Sequence, residues 1–347
     1  MNNPLGRRDF IKSATAGYAS VSLGAKLFPE SVTSFQQAGR IGIIGLDTSH
    51  STAFTRALND PSAGNSFGGF RITAAYPKGS SEIKSSYERI PGYTEDVKKL
   101  GVEIVNSIEE LLGKVDYVLL ETNDGRLHLE QAIPVFKAGK RMFIDKPVAA
   151  SLADTLAIFK ASEYYKVPVF SSSSLRYISG AKEIAEGSIG KVLGSDTYSP
   201  ATLEQTHPDL FWYGVHGVET LFTIMGTGCK TVSRTATPDF DKVVGTWSDG
   251  RIGTFRGIRS GRSDYGGVVF GEKGITILGK YAGYNPLLEK IIGFFQTGIP
   301  PVSSAETIEI FTFMTAADES KMKGGVPVEM AKVLEKAQKK TAKISFS

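Results

Sequence analysis

Two side chains in this sequence have the types that proton transfer requires. His216 lies in Tyr213-Gly214-Val215-His216-Gly217-Val218-Glu219; an unperturbed histidine titrates near working pH and suits a general base. Lys146 lies in Ile144-Asp145-Lys146-Pro147, directly after a short apolar run. At the carboxyl edge of a sheet, its ammonium would stabilise an alkoxide as it forms. Together they could take a proton from a hydroxyl, provided a hydride acceptor lay beside them. Read alone, Lys146 better suits a surface lysine before a Pro-kinked loop, and His216 has the alternative of a packed helix histidine.

A second candidate is the turn Gly45-Leu46-Asp47-Thr48-Ser49-His50, which follows the β-type run Arg40-Ile41-Gly42-Ile43-Ile44. A dinucleotide turn reads G-x-G-x-x-G, so that backbone amides approach a pyrophosphate at a helix N-terminus. Only Gly45 keeps that pattern; Asp47 and His50 replace the second and third glycines. The same residues also read as a helix cap by Asp47, Thr48 or Ser49. The next strand ends in Tyr76-Pro77-Lys78-Gly79-Ser80-Ser81, with no acid to hold ribose hydroxyls. Lys78 and Ser80 there suit a 2′-phosphate, so NADP is expected over NAD; a solvated loop is the plainer alternative.

With the Tyr117–Asn123 strand end, His128 and Leu175-Arg176-Tyr177, these segments resemble the glucose–fructose oxidoreductase/inositol dehydrogenase (Gfo/Idh/MocA) family, from about Arg40 to the C-terminal helix. Asp145-Lys146-Pro147 stands where that family carries Glu-Lys-Pro, and His216 matches its catalytic histidine. The resemblance implies that Lys146 orients or protonates the reacting oxygen where nicotinamide meets substrate. It places Gly45, Asp47, Thr48, Ser49, His50, Lys78, Ser80, Thr122, Asn123, His128 and Asp145 at the cofactor. Arg176, Trp212, Tyr213 and Glu219 fall at the substrate, the aromatic rings stacking on a sugar or filling core. The family's aspartate four residues before the histidine is Trp212 here, and Asp209, one helical turn away, is the nearest replacement.

The elements that must position these residues follow from periodicity. Short apolar strands alternate with helices over residues 40–165, which predicts an α/β Rossmann-like domain with a doubly wound parallel sheet. Residues 166–347 read as an α+β domain with an open, mainly antiparallel sheet. Its β runs lie near Val192–Thr202, Val243–Trp247, Ile252–Gly257, Gly267–Phe270 and Gly274–Leu278. Helices near Leu210–Met225, Pro286–Phe295 and Ala305–Met322 are expected to cover one face of that sheet. Residues 1–39 read as a twin-arginine export signal, Arg7-Arg8-Asp9-Phe10-Ile11-Lys12 before a mildly apolar stretch, followed by a linker. That expectation places the protein outside the cytoplasm, in the periplasm, with the export machinery as a partner.

Composition bounds the rest. The chain has 347 residues, 41% hydrophobic and 22% charged, with a net charge of +4, which suits globular domains and gives no reason to expect nucleic acid. The single cysteine, Cys229, excludes an internal disulfide and a cysteine-rich zinc site. Among side chains that bind metals, His50, His128, His207 and His216 could meet Asp47 and Glu219, but no motif fixes their spacing and no metal is expected. The leading expectation is an NAD(P)-dependent oxidoreductase of a sugar or sugar derivative, forming a homo-oligomer through its C-terminal sheet. A sugar lyase, epimerase or hydrolase on the same fold, with the nucleotide retained or lost, and a non-catalytic carbohydrate-binding protein remain open.

Overall fold

The computed structural model describes residues 39–63 and 66–346, so Arg7, Arg8 and the expected export signal lie outside the described residues. Six parallel strands open the fold: β1 (Arg40–Ile44), β2 (Arg71–Tyr76), β3 (Glu103–Ile104), β4 (Tyr117–Leu120), β5 (Met142–Ile144) and β6 (Val169–Ser171). Their order across the sheet is β3-β2-β1-β4-β5-β6, so the strand order reverses beside β1. In such sheets, ligands bind outside the carboxyl ends of the strands at that reversal. The core of β1 is buried on both faces, as parallel strands covered by helices on both sides require.

Helices α1 (Ser49–Asn59), α2 (Ile90–Lys99), α3 (His128–Lys137) and α4 (Leu152–Tyr165) connect these strands. One face of the sheet packs Ile41, Ile43 and Leu119 against Phe54 of α1 and Val97 of α2. The other face buries Val118, Leu120 and Ile144 with Val135 and Phe136 of α3 and Ile158 of α4.

The second sheet holds β7 (Val192–Pro200), β8 (Cys229–Ala236), β9 (Phe240–Trp247), β10 (Ile252–Ile258), β11 (Gly266–Gly271), β12 (Gly274–Leu278) and β13 (Val328–Glu329). Its order is β12-β11-β7-β10-β9-β8-β13, antiparallel except where β10 runs parallel to β7. Both sheets thus have the architecture expected from the sequence. Helices α5 (Val215–Met225), α6 (Asn285–Thr297), α7 (Ser304–Met322) and α8 (Met330–Thr341) complete the chain. Helix α5 lies on β7 and β10, and α7 on β8.

Two expectations need correction. The sixth strand of the parallel sheet lies beyond residue 165, since Val169–Ser171 pairs with Met142–Ile144. Helix α6 was expected over the second sheet, yet its Leu287, Leu288, Ile291 and Phe295 pack with Ile43 and Phe54 of the first domain. Its apolar stripe fits either sheet, and the sequence does not say which. This return of the chain brings Tyr284, just before α6, to the first turn of α1.

Candidate active site

A cavity of about 440 Å³ opens at the carboxyl edge of the parallel sheet. Thr48, Ser49 and His50 at the start of α1, Asn123 after β4 and Lys146 after β5 line it from the first domain. Trp212, Tyr213 and His216 line it from the second, with Tyr265, Tyr281 and Tyr284. Lys146 and His216 therefore face one ligand space, although 70 positions separate them in the chain.

His216 sits in the first turn of α5 and is buried. One turn of π-helix, Leu210–Gly214, leads into α5 and carries Trp212 and Tyr213; such turns recur at functional sites. His216 Nδ1 lies 2.6 Å from Ser173 Oγ, which also accepts the Leu175 N–H at 3.1 Å. Ser173 is thus the partner of this imidazole. Asp209 does not replace the carboxylate expected there, because it pairs with Arg234 at 2.9 Å and with Lys321. Burial, and next the charge of Lys146, hold the His216 pKa well below the usual histidine value. The imidazole is neutral at neutral pH, as a base must be.

The turn before α1 resolves differently from a side-chain cap. Neither Asp47, Thr48 nor Ser49 caps the helix. Asp47 is fully buried and accepts from Ser86 Oγ at 2.6 Å and from the Asn123 N–H at 3.0 Å. Thr48 Oγ1 donates to Glu121 Oε2 at 3.3 Å, and Ser49 Oγ lies 2.9 Å from the Tyr284 hydroxyl. The first amides of α1 are therefore left uncapped at the cavity wall, where a helix N-terminus favours an anion.

This edge fits a nicotinamide dinucleotide. Gly45 has φ +87°, and a Cβ there would lie 2.5 Å from the Thr122 amide nitrogen, so the turn needs glycine at this position. The carboxylate of Asp47 is drawn behind the turn and does not line the cavity. Thr48 and Ser49 would hold a pyrophosphate at the helix start, and Asn123 and Lys146 the nicotinamide end.

Beneath the cavity, Asp145 and Glu121 are both fully buried. Asp145 accepts the Lys146 N–H at 2.8 Å, and the Lys146 Nζ lies 3.8 Å from its other oxygen. His50 Nδ1 is 3.0 Å from Asp145 and 3.8 Å from Glu121. Burial raises the Glu121 pKa well above the carboxylate range, and the neighbouring Asp145 adds to it. Asp145 itself is lowered: burial opposes ionisation, but His50 and Lys146 together outweigh it.

Several expected site residues lie elsewhere. Arg176 and Glu219 were expected at the substrate, but they pair at 2.9 Å and Arg176 also meets Glu306 at 2.6 Å. Both are buried, and buried charges persist only when paired. His128 was expected at the cofactor; its ring nitrogens face the carbonyls of Thr122 at 2.6 Å and Val148 at 3.2 Å inside the domain. Ser80 was expected at a 2′-phosphate, yet its hydroxyl donates to Asp124 at 2.8 Å and is buried. Lys78 is exposed and borders a separate groove with Tyr76, Leu127 and Gln131. His207 accepts the Gly125 N–H at 3.1 Å behind the cavity, and burial lowers its pKa to about 4. The expected convergence of four histidines is thus limited to His50 and His216 at the cavity.

Sequence reading missed Glu121, Ser173, Arg89, Glu204 and the tyrosines Tyr265, Tyr281 and Tyr284. Glu121 had a visible signal: an acid immediately after the apolar run Val118-Leu119-Leu120. The others come from loops without a motif.

Residues 39–172 match the profile of the Gfo/Idh/MocA family, described as an oxidoreductase family with an NAD-binding Rossmann fold. An uncharacterized oxidoreductase of Streptococcus pneumoniae serotype 4 is 28% identical over 156 residues, 40% of this chain and 42% of that protein. A 1,5-anhydro-D-fructose reductase of Ensifer adhaerens is 32% identical over 124 residues, 34% of this chain and 36% of that protein. The matched segment thus spans less than half the length of either relative. Among solved structures, scyllo-inositol dehydrogenase from Lactobacillus casei, with bound NAD(H) and scyllo-inositol, aligns with a TM-score of 0.67 at 15% identity. That alignment covers 85% of this chain and 100% of the other. A probable dehydrogenase from Thermotoga maritima gives 0.67 at 19% identity, over 85% and 99%. These likenesses establish the fold across both domains.

Burial raises the Asp47 pKa from 3.8 to about 6, against the hydrogen bonds from Ser86 and Asn123. A carboxyl that ionises later in the folded chain than in the unfolded one costs folded stability as pH rises from about 4 to about 6. Asp47→Asn keeps an acceptor for the Asn123 N–H and removes the charge. The variant is expected to be more stable than the parent at about pH 7 by about 2–3 kcal/mol, from roughly two pKa units at about 1.4 kcal/mol each. Urea denaturation of both proteins measures this; a gap that fails to widen between about pH 4 and pH 7 contradicts the burial of a charged Asp47.

Proposed function

We propose that this chain, whose residues 39–172 match the Gfo/Idh/MocA oxidoreductase family, is an NAD(P)-dependent oxidoreductase of a sugar or sugar derivative. The observation that carries the reading is the shared cavity of Lys146 and His216 at the carboxyl edge of the sheet. A bound nicotinamide would accept or supply the hydride. The protein supplies the proton chemistry. In the oxidative direction, the substrate hydroxyl lies between the Lys146 ammonium and His216. With Nδ1–H donating to Ser173, His216 Nε2 takes the hydroxyl proton, while Lys146 stabilises the oxygen as its negative charge grows. In the reductive direction, the same imidazolium returns the proton. Trp212 and Tyr213 offer ring faces to a sugar, and the hydroxyls of Tyr265 and Tyr281 border the same space.

The cofactor preference follows from the end of β2, where Lys78 remains exposed and no acid occurs between Ala74 and Ser81. NADP is the better fit, although Ser80 cannot help hold its phosphate. The export reading of Arg7 and Arg8 also belongs to this proposal; replacing both with lysine should retain the precursor in the cytoplasm, and normal export would refute it. The outer face of the second sheet suits a second copy of the chain. Register places Ile252, Phe270 and Ile275 in one row across β10, β7, β11 and β12, all exposed, with Ile277 beside them. Ile275→Glu with Ile277→Glu should lower the mass seen by sedimentation; an unchanged mass places any oligomer contact elsewhere.

Lys146→Met and His216→Gln are each expected to lower turnover about 100-fold or more with the fold intact by circular dichroism. Because burial keeps His216 neutral below the usual histidine range, the acid limb of kcat/KM should lie below that range. The same assays with NADPH and NADH test cofactor choice: equal or tighter NADH binding removes the role assigned to Lys78. Full turnover in either variant removes the acid–base assignment.

A further inference from the structure

We propose that His50, Glu121 and Asp145 form a site for one divalent transition cation, of the Zn²⁺ type, at the floor of the cavity. One ligand atom from each of the three lies within 4.8 Å of the others, and all three residues are buried. His50 Nδ1 is 3.0 Å from an Asp145 oxygen and 3.8 Å from a Glu121 oxygen. Nitrogen and oxygen ligands bound at about 2.0–2.2 Å to one tetrahedral ion stand roughly 3–4 Å apart. The observed spacing matches that arrangement.

Unpartnered atoms point the same way. Glu121 Oε1 and Asp145 Oδ2 are buried without a hydrogen-bond partner, while Asp145 Oδ1 and Glu121 Oε2, the oxygens measured from His50 Nδ1, accept from the Lys146 N–H and the Thr48 hydroxyl. Buried polar atoms are normally satisfied, and an unmodified carboxylate oxygen in this position costs free energy. A cation that takes a lone pair from each residue satisfies the cluster.

Charge and support agree. Two fully buried carboxylates face one ammonium, Lys146, at 3.8 Å from Asp145. The Thr48 hydroxyl donates to Glu121 at 3.3 Å and the Lys146 N–H to Asp145 at 2.8 Å, so the carboxylates are oriented from outside the set, as metal ligands generally are. The imidazole and carboxylate donors suit zinc or manganese better than magnesium, which prefers oxygen and retains water. Only His50 of the three lines the cavity. An open fourth position would have to be reached from the His50 side, where an oxygen of a bound molecule could enter. Three protein ligands with one open position is the arrangement of catalytic rather than structural zinc sites.

The site exists because of two departures from the dinucleotide turn and strand pattern: an imidazole where the third glycine would stand, and an acid directly after β4. It does not depend on the dinucleotide, so its failure and that of the oxidoreductase reading are separable. The test is calorimetric titration of tag-free, chelator-treated, dialysed protein with Zn²⁺, in the absence of dinucleotide. One equivalent is expected to bind, with Mg²⁺ binding at least tenfold more weakly. Glu121→Gln and His50→Gln should each weaken Zn²⁺ binding by at least tenfold. Glu121→Gln replaces a buried carboxyl group by an amide of the same shape, so it should fold. Co²⁺ added to the unaltered protein gives a second readout that needs no variant: visible absorption bands of a tetrahedral ion are expected. Absence of Zn²⁺ uptake, absence of the Co²⁺ bands, or variants that bind as tightly as the parent would each overturn the site.

Discussion

Burying negative charge at the carboxyl edge of the parallel sheet is the constraint on which the site depends. Asp47, Glu121, Asp124 and Asp145 are all buried there. An isolated buried carboxylate is costly, so each must be protonated, hydrogen-bonded or paired. The surrounding structure meets that demand group by group. Ser86 and the Asn123 amide serve Asp47, while Arg126 and Ser80 serve Asp124. His50 and Lys146 stand by Asp145 and Glu121. The lysine assigned to catalysis is therefore also part of the charge balance of the sheet edge.

The same demand shapes the turn. An aspartate in place of the second glycine would oppose a pyrophosphate if it faced the ligand. Its burial behind Ser86 removes it from the cavity wall and leaves the start of α1 uncapped. Glycine remains at position 45 because the chain there runs against Thr122 with a positive φ. The loss of two glycines has therefore changed the floor of the site while keeping its anion-facing amides.

The second domain contributes by position. Helix α5 brings His216 over the edge, and Ser173, from just after β6, holds the ring. Ser173 is neutral, so the hydrogen-bond partner of His216 is not a carboxylate; burial and the Lys146 charge outweigh the pull of Asp145 and keep the ring uncharged. Helix α6 packs on the first domain and delivers Tyr284 to His50, with ring centroids 4.5 Å apart. The cavity is thus closed by a segment distant in sequence from both residues that would act in it.

The order of strands and helices, and the placement of Lys146 and His216, could be read from the sequence because each depends on a local pattern. Apolar periodicity marks the strands, and Ile144–Pro147 and Tyr213–Glu219 each carry their residue within a single short segment. Arg176, Glu219, Ser80 and His128 had residue types suited to ligands, but their burial and partners are set by chain packing. Arg176 meets Glu219 and Glu306, which are 43 and 130 positions away. The cluster of His50, Glu121 and Asp145 is likewise tertiary, since it joins the turn after β1 to the ends of β4 and β5, neighbours only because the parallel sheet places β1, β4 and β5 side by side. Periodicity is a property of adjacent residues and survives in the sequence; which charges are buried, and against what, depends on how distant strands are ordered.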